Sequence, residues 1–225
     1  MTDLRRQQLQ AAAALRLKRI EAAQRYAADP WRWLVECAVG LDPLRAADPI
    51  GPFPAAPYLQ HIVTEVLGHR RTIVWKPRRM FLTWEMVGLG VALAVCLPHQ
   101  RVFYVSRRMG DDDSQGAREL LWRAAFILDH LTPPAPYQPG KHLLTLPNGS
   151  TIGAVSSEPR AVAGLAATFL VADEFGFWED PEASLAAMLP TLESRGTARG
   201  HFVGVTTTEV GPSRRSSMMG SAPTR

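Results

Sequence analysis

From Tyr58 onward, apolar and polar residues are arranged in blocks that predict strands and helices in turn. A helix is predicted over 58–69 and leads into a strand over 71–76, RTIVWK. An apolar helix is predicted over 82–97, followed by a strand over 101–106, RVFYVS. Strands and helices that alternate at this spacing are typical of a parallel sheet with helices on both of its faces.

Another helix is predicted after the acidic triplet Asp111–Asp113. Its apolar face consists of five residues at helical spacing: Leu120, Leu121, Ala124, Ile127 and Leu128. Asp side chains favour a helix N-terminus because they cap free N–H groups and complement the helix dipole. The triplet is therefore explained without a metal ion.

The remaining elements are a hairpin, two strands and a helix. The pair Asn148-Gly149 is a strong hairpin signal, since both residues accept the positive φ angles of a tight turn. Strands are predicted at 142–146, 151–155, 168–172 and 201–206, and a helix at 181–192.

Two segments flank this alternating core, which we place at 58–210. Residues 2–27 predict a helix in which apolar residues are scattered among Arg and Lys. This helix is either solvated and partly docked, or a basic arm that contacts nucleic acid or a neighbouring subunit. Residues 211–225 predict a flexible tail.

The segment between this helix and the core is turn-rich. Residues 29–57 contain six prolines and a short predicted helix near 31–39. Trp31, Trp33 and Phe53 favour burial, so we expect the segment to wrap over a domain surface. Residues 1–57 are thus predicted to form an N-terminal helical extension.

Composition narrows the class of protein. Hydrophobic residues make up 46% of the chain and charged residues 20%, a globular balance that excludes a disordered or collagenous chain. The two cysteines, Cys37 and Cys96, cannot supply a disulfide framework, which favours a reduced, cytoplasmic setting.

The apolar stretch 81–97 is short for a membrane span and predicts a buried core helix, so no membrane partner is expected. The net charge of +4 permits a polyanionic partner without establishing one.

The first candidate for chemistry is the segment 76–83, KPRRMFLT, hereafter the basic turn. It lies between a predicted strand and a predicted helix, where cations, a hydroxyl and a helix N-terminus favour a bound anion. It lacks the glycines of GxxxxGK[ST], and its lysine comes first. A basic turn without a phosphate site remains the alternative.

A second candidate is the apolar run FLVA followed by Asp173-Glu174. In phosphoryl-transfer proteins, a strand-end Asp holds the magnesium shell and the next Glu polarises the attacking water. A pair of acids that begins a helix is the alternative. A basic turn that is followed later in the chain by an acidic strand end occurs by chance less often than either motif alone.

Two further positions are weaker candidates. Thr206, Thr207 and Thr208 end the last strand, where hydroxyls can sense a γ-phosphate, but β-propensity explains them equally well. Gln60, upstream of the basic turn, has an amide suited to the edge of adenine.

These segments together resemble the ATPase domain of tailed-phage terminase large subunits. The resemblance covers roughly residues 29–208 and is carried by DPWRWLVECAVG, APYLQHIVTEVLGHRRTIVWKPRRMFLTW and VAGLAATFLVADEFGFW. The family's loop often runs Lys-x-Arg-Gln-x-Gly-x-Ser/Thr-Trp, and Lys76, Arg78, Thr83 and Trp84 occupy its places. The family's Asp-Glu-aromatic strand end is matched by residues 173–178.

The resemblance implies an α/β fold of the three-layer, parallel-sheet P-loop type (RecA-like, ASCE-type) and an ATP-driven DNA-packaging motor. By carry-over, Lys76 contacts the β- and γ-phosphates and Thr83 ligates Mg²⁺. Asp173 holds the metal shell and Glu174 activates water. Further implied roles are adenine contact by Gln60, transition-state stabilisation by Arg78 or Arg79, and coupling by Thr206, Thr207 and Thr208.

The implied cofactors are ATP and Mg²⁺. The implied partners are double-stranded DNA, a portal protein, a small terminase subunit and further copies in a ring. The implied location is the host cytoplasm, transiently at the procapsid portal. No clustered acids follow Thr208, so nuclease activity is not expected of these residues.

The basic turn departs from the family pattern at three positions. Phe81 stands in the place of a glycine, Arg79 replaces Gln, and Pro77 lacks a donor N–H. If residue 81 requires a positive φ, a bulky side chain there costs about 1–3 kcal/mol. A nucleotide-silent or truncated relative that only binds or assembles is therefore the second hypothesis.

Overall fold

The computed structural model describes residues 21, 24–42, 47–77, 80–110, 116–194, 197–198 and 200–207. Within the predicted helix 2–27, residues 24–28 are helical, whereas 1–20 lie outside the described residues. The acidic triplet and the predicted tail also lie outside them.

The N-terminal segment forms a helix and a small hairpin against the core. Helix α1 (Pro30–Cys37) begins at Asp29, whose carboxylate accepts the backbone N–H of Arg32 at 3.0 Å. Strands β1 (Val39–Leu41) and β2 (Ile50–Pro52) pair antiparallel and form the N-terminal hairpin. Trp33 and Phe53 are each only 3% exposed and join the main hydrophobic core, as their apolar character predicts. Trp31 is partly buried.

In the first half of the core, the first two helices and the first two strands after residue 56 follow the predicted bounds within one residue, whereas the start predicted for the next helix at Asp111–Asp113 lies outside the described residues. The elements of this half are α2 (Pro57–Gly68), β3 (Arg71–Lys76), α3 (Leu82–Cys96), β4 (Arg101–Ser106) and α4 (Gly116–His130). All five predicted apolar-face residues of α4 are buried.

The second half contains the predicted hairpin and several short elements that were not predicted. Its elements are β5 (Gln138–Pro139), β6 (Leu143–Thr145), β7 (Thr151–Ser156), α5 (Pro159–Val162), β8 (Phe169–Ala172), a 3₁₀ turn (Phe175–Phe177), α6 (Pro181–Met188), β9 (Glu193–Ser194), β10 (Thr197–Ala198) and β11 (His201–Thr207). The helix predicted at 181–192 is wrong in its last turn. The segment Leu189–Leu192 is a 3₁₀ turn, because Pro190 has no N–H to continue the α-helical ladder.

The main sheet has seven strands in the order β3-β11-β8-β4-β7-β6-β5. Neighbouring strands are parallel along the series β3, β11, β8, β4 and β7. Strand β6 pairs antiparallel with β7, and β5 pairs antiparallel with β6. The predicted parallel sheet is confirmed.

Both faces of the sheet are covered. Along β8, Phe169 and Val171 join the larger core, which contains α3 and α4, whereas Leu170 and Ala172 join a smaller core with Trp178. This alternation produces three layers. Helix α3 is buried on nearly all sides, as predicted, and no helix in the described ranges is long and apolar enough to cross a membrane.

The end strand β3 is the exception to this coverage. On the face turned away from α3, Ile73 is 51% exposed and Trp75 is 62% exposed. One edge and part of one face of β3 are therefore open in the described sheet.

Candidate functional site

The sheet topology places the candidate strand ends side by side. Strand β11 lies between β3 and β8, so the carboxyl ends of all three strands meet at one edge. In open α/β sheets, ligands bind at this edge. Lys76 ends β3, Thr207 ends β11, and Asp173 directly follows β8.

Lys76, Thr207 and Glu174 form a closed set of contacts. The Lys76 Nζ donates to the Thr207 hydroxyl at 3.2 Å and lies 3.5 Å from the Glu174 Oε1. The Thr207 hydroxyl donates to Oε1 of Glu174 at 2.7 Å, and its backbone N–H donates to Oε2 at 3.1 Å. Lys76 is only 8% exposed, so its charge is stabilised by a nearby anion.

The turn after β8 is held by β11 and by an aromatic residue. Gly176 donates its N–H to the hydroxyl of Thr206 at 3.2 Å. The indole N–H of Trp178 donates to the carbonyl of Asp173 at 3.0 Å. Glu174 itself adopts a left-handed conformation with φ 50°. These contacts fix the direction of the Glu174 side chain, a type of constraint often found at functional sites.

Thr83 and Asp173 meet although they are ninety residues apart. The Thr83 hydroxyl donates to Oδ1 of Asp173 at 3.3 Å. Burial, followed by the nearby Glu174 charge, raises the pKa of Asp173 to about 6. The charges of Arg123 and Lys76 and the Thr83 hydrogen bond oppose that rise.

A hydroxyl and a carboxylate oxygen are the ligands expected for Mg²⁺ that also contacts phosphate and water. The described residues contain no cluster of three or more His, Cys, Asp or Glu side chains for a metal held by protein alone. The donor set thus fits Mg²⁺ delivered with a phosphate ligand.

The basic turn contains one described residue in the left-handed conformation. Phe81 has φ 60° and ψ 0° and directly precedes α3. The conformation that a glycine would adopt is thus present with a bulky side chain, and the expected strain is real. The N-terminus of α3 offers free backbone N–H groups, which favour an anion. Arg78 and Arg79 lie outside the described residues.

The structure places Gln60, the candidate for adenine contact, but shows no contact of its side chain with the other candidate residues that it describes. Gln60 lies in the first turn of α2 with an exposed side chain, and its carbonyl accepts the Thr64 hydroxyl at 2.8 Å. Its neighbour Tyr58 reaches the basic turn and donates to the carbonyl of Met80 at 3.2 Å. The role of Gln60 therefore stays a prediction, and Thr208 lies beyond the described residues.

One residue close to Asp173 was not predicted. Arg123 of α4 lies with its guanidinium 5.1 Å from the Trp84 ring centre and pairs with Glu119. It is close enough to lower the pKa of Asp173. No spacing in the sequence indicates this approach, because it depends on how α4 packs against α3.

Glu85, in α3, is a second residue that was not predicted. Its carboxyl is fully buried, and both oxygens lack a hydrogen-bond partner among the described residues. Burial raises the pKa of Glu85 to about 8. The sequence signal was available, since Glu85 is the single charge in the apolar stretch 81–97.

The architecture was compared with known proteins. No protein-family model matches the sequence, and a search of curated proteins finds no relative. The large terminase of bacteriophage HK97 superposes with a TM-score of 0.59 at 14% identity, over 78% of this chain and 36% of that one. The large-terminase ATPase domain of Thermus phage P74-26 gives 0.50 at 17% identity, over 62% of this chain and 60% of that one.

The chain has the fold of a phage terminase ATPase domain. The predicted fold class is therefore confirmed. At these identities the likeness concerns the terminase fold, and the chain spans 36% of the HK97 protein and 60% of the Thermus phage protein.

Proposed function

We propose that this chain is the ATPase motor part of a phage terminase, which couples ATP hydrolysis to translocation of double-stranded DNA into a procapsid. One observation carries the proposal. The contact between Thr83 and Asp173 lies at the same sheet edge as the contacts among Lys76, Thr207 and Glu174. A cation, a hydroxyl–carboxylate pair and a second carboxylate are the groups that phosphoryl transfer to water requires.

The roles follow from these positions. The Lys76 Nζ and the free N–H groups of α3 bind the β- and γ-phosphates. The Thr83 hydroxyl and the Asp173 carboxylate hold Mg²⁺, which supplies neutralising charge to the phosphates. Glu174, whose two oxygens are fixed by Thr207, orients the attacking water and accepts its proton.

The coupling role belongs to Thr206, Thr207 and Thr208. The Thr207 hydroxyl contacts both Lys76 and Glu174, so a shift of Lys76 toward phosphate changes the hydrogen bonds at the end of β11. Thr206 transmits the same change to the turn after β8 through Gly176. Thr208, the next residue in the sequence, shares this proposed coupling role. Arg78 or Arg79 supplies transition-state charge, in the chain's own site or in a neighbour's.

The proposed partners follow from the motor function. DNA is held through its phosphates, so binding is salt-sensitive and tolerant of sequence. A portal protein, a small terminase subunit and further copies of this chain in a ring complete the assembly in the host cytoplasm. Gln60 contacts adenine.

Two substitutions test the ATPase proposal. Lys76→Ala should weaken binding of a fluorescent ATP analogue with Mg²⁺ by at least about tenfold, because it removes a phosphate-binding cation. Glu174→Gln should retain binding and lower the hydrolysis rate by a factor on the order of 10² or more, since the general base is lost. The measurements are equilibrium binding and phosphate release with DNA present.

Glu179→Gln is the matched control, because Glu179 is an exposed carboxylate five residues from Glu174 that pairs with Arg107. It should leave both binding and hydrolysis unchanged. A native chain that binds no nucleotide refutes the ATPase proposal and favours the nucleotide-silent hypothesis.

A further inference from the structure

Phe81 occupies a backbone conformation that its residue type disfavours. Its φ of 60° lies in the left-handed region, where a Cβ crowds the backbone. Such a residue persists only where its surroundings fix it. The surroundings of the Phe81 ring should therefore show what fixes the basic turn.

The ring is partly buried and lies against three residues, hereafter the Phe81 socket: Gly40, Phe53 and Trp84. It packs edge-on against Phe53 with ring centres 5.2 Å apart, and stacks on Trp84 at 6.3 Å with an interplanar angle of 15°. Aromatic pairs at these distances are attractive beyond the area that they bury.

Gly40 closes the socket by having no side chain. A Cβ built on Gly40 would overlap the Cζ of Phe81, so a side chain at residue 40 requires the ring to shift. The φ of Gly40 lies outside the left-handed region, so its backbone does not require glycine. Among the described contacts of this position, the ring of Phe81 is what excludes a side chain.

The socket joins two separate parts of the chain. Gly40 lies in β1 and Phe53 directly follows β2, so both belong to the N-terminal segment. Trp84 lies in the first turn of α3, and its other neighbours include the Arg123 guanidinium. Thr83, the proposed Mg²⁺ ligand, is two residues from Phe81.

We propose that Phe81 is a positioning residue of the nucleotide site, and that the N-terminal segment holds the backbone of residue 81 in its left-handed conformation through contacts with the Phe81 ring, hereafter the grip. This inference rests on the proposed ATPase function for its consequence. The grip sets the direction of the first N–H groups of α3 and of the Thr83 hydroxyl. The N-terminal segment is therefore part of the nucleotide site although it contributes no group to the nucleotide.

Gly40→Ala is the most selective test, since residue 40 carries no group that contacts phosphate. The added methyl group displaces the ring, and the Kd for a fluorescent ATP analogue with Mg²⁺ should rise about tenfold, comparable to the loss of an aromatic contact. Gly68→Ala is the matched control, because a Cβ there meets nothing within 4 Å. Circular dichroism identifies the temperature range in which both variants are folded.

A double substitution separates positioning from general destabilisation. In a Phe81→Gly background, Gly40→Ala should cause no further rise in Kd, because the ring that it displaces is absent. Phe81→Leu should partly restore binding to Gly40→Ala, since the shorter side chain fits beside the methyl group. Additive effects of the two substitutions on Kd would overturn the proposal, as would tighter binding by Phe81→Gly than by the native chain.

Hydrogen exchange tests the grip without nucleotide. Gly40→Ala should accelerate exchange of the amides of residues 81–85 in the ligand-free protein, and Gly68→Ala should not. If the native chain binds no ATP, the ATPase proposal fails, and the exchange rates alone decide the grip. Unchanged exchange in folded Gly40→Ala would refute it.

Discussion

Glu85 occupies a position in α3 that is costly for a carboxyl group. Its carboxyl is fully buried, neither oxygen has a hydrogen-bond partner among the described residues, and burial raises its pKa to about 8. Such a carboxyl avoids most of its desolvation cost by remaining protonated. Burial, followed by the Glu85 charge, raises the pKa of the Tyr58 hydroxyl.

The raised pKa of Glu85 predicts how stability depends on pH. Because the folded state binds this proton more tightly than the unfolded state, the free energy of unfolding should fall as pH rises from about 4.5 to about 8, by an amount on the order of a few kcal/mol. Glu85→Gln should flatten this dependence. Urea unfolding at about pH 5 and at about pH 8 measures it.

Glu158→Gln serves as the control, since Glu158 is exposed and should leave the pH dependence as it is in the native protein. If Glu85→Gln shows the native slope between the two pH values, the slope has another source.

Single residues also show why the site could be only partly predicted. Lys76, Thr83, Asp173 and Glu174 were predicted because each lies at a strand end or helix start that the local pattern indicates. Arg123 was not predicted, because its approach depends on the packing of one helix against another.

At the scale of elements, the hairpin between β6 and β7 performs a second task. The Asn148 side-chain amide donates to the carbonyls of Ala94, Val95 and Leu97, at 2.8, 3.3 and 3.2 Å. These carbonyls lie at the end of α3, where the last four have no partner within the helix. Asn148 thus supplies hydrogen-bond donors to carbonyl groups at the end of α3.

Asn148→Ala should therefore cost more than the loss of a turn residue. We expect the free energy of unfolding to fall by about 1–3 kcal/mol, because the partly buried carbonyls of Ala94 and Val95 lose this donor, whereas the Leu97 carbonyl keeps the Ser150 hydroxyl. Asn148→Asp should be more destabilising, since it keeps the acceptor for the Ser150 N–H but places oxygens against carbonyls. Denaturant unfolding of the three proteins gives the ranking, and a fully stable Asn148→Ala would show that the amide contributes nothing.

Some secondary-structure elements could be predicted from the sequence, and others could not. The bounds of β3 and β4 were predicted without error, because apolar strands between turns have a clear local pattern. The pairs β1–β2 and β9–β10 have two or three residues per strand and form only because neighbouring segments bring them together. Their sequences carry no periodicity of their own.

For the whole molecule, the open side of β3 is the most conspicuous surface. Ile73 and Trp75 present apolar area beside an unpaired strand edge in the described sheet. Apolar edge strands favour association with other chains, and proteins usually protect them with charge or proline. Along β3, charges occur only at the two ends, Arg71 and Lys76.

Trp75→Thr should reduce self-association of the isolated chain at high protein concentration. Threonine keeps the strand propensity and removes the exposed ring, so the free energy of unfolding should change by less than about 0.5 kcal/mol. Sedimentation velocity over a concentration series measures association. Ile50→Thr, at an exposed apolar position on β2, is the control and should associate like the native chain. Equal association of all three proteins would exclude the β3 surface as the cause.

The closed contacts among Lys76, Thr207 and Glu174 have a kinetic consequence. The Lys76 cation has an anionic neighbour, and the Glu174 carboxylate has two donors. A ligand that takes Lys76 must replace an existing contact, so part of its interaction energy is offset and its affinity is lowered. The same contacts re-form as the ligand leaves, which shortens its residence time. In the proposed ATPase, a site arranged in this way favours rapid turnover over tight retention of products.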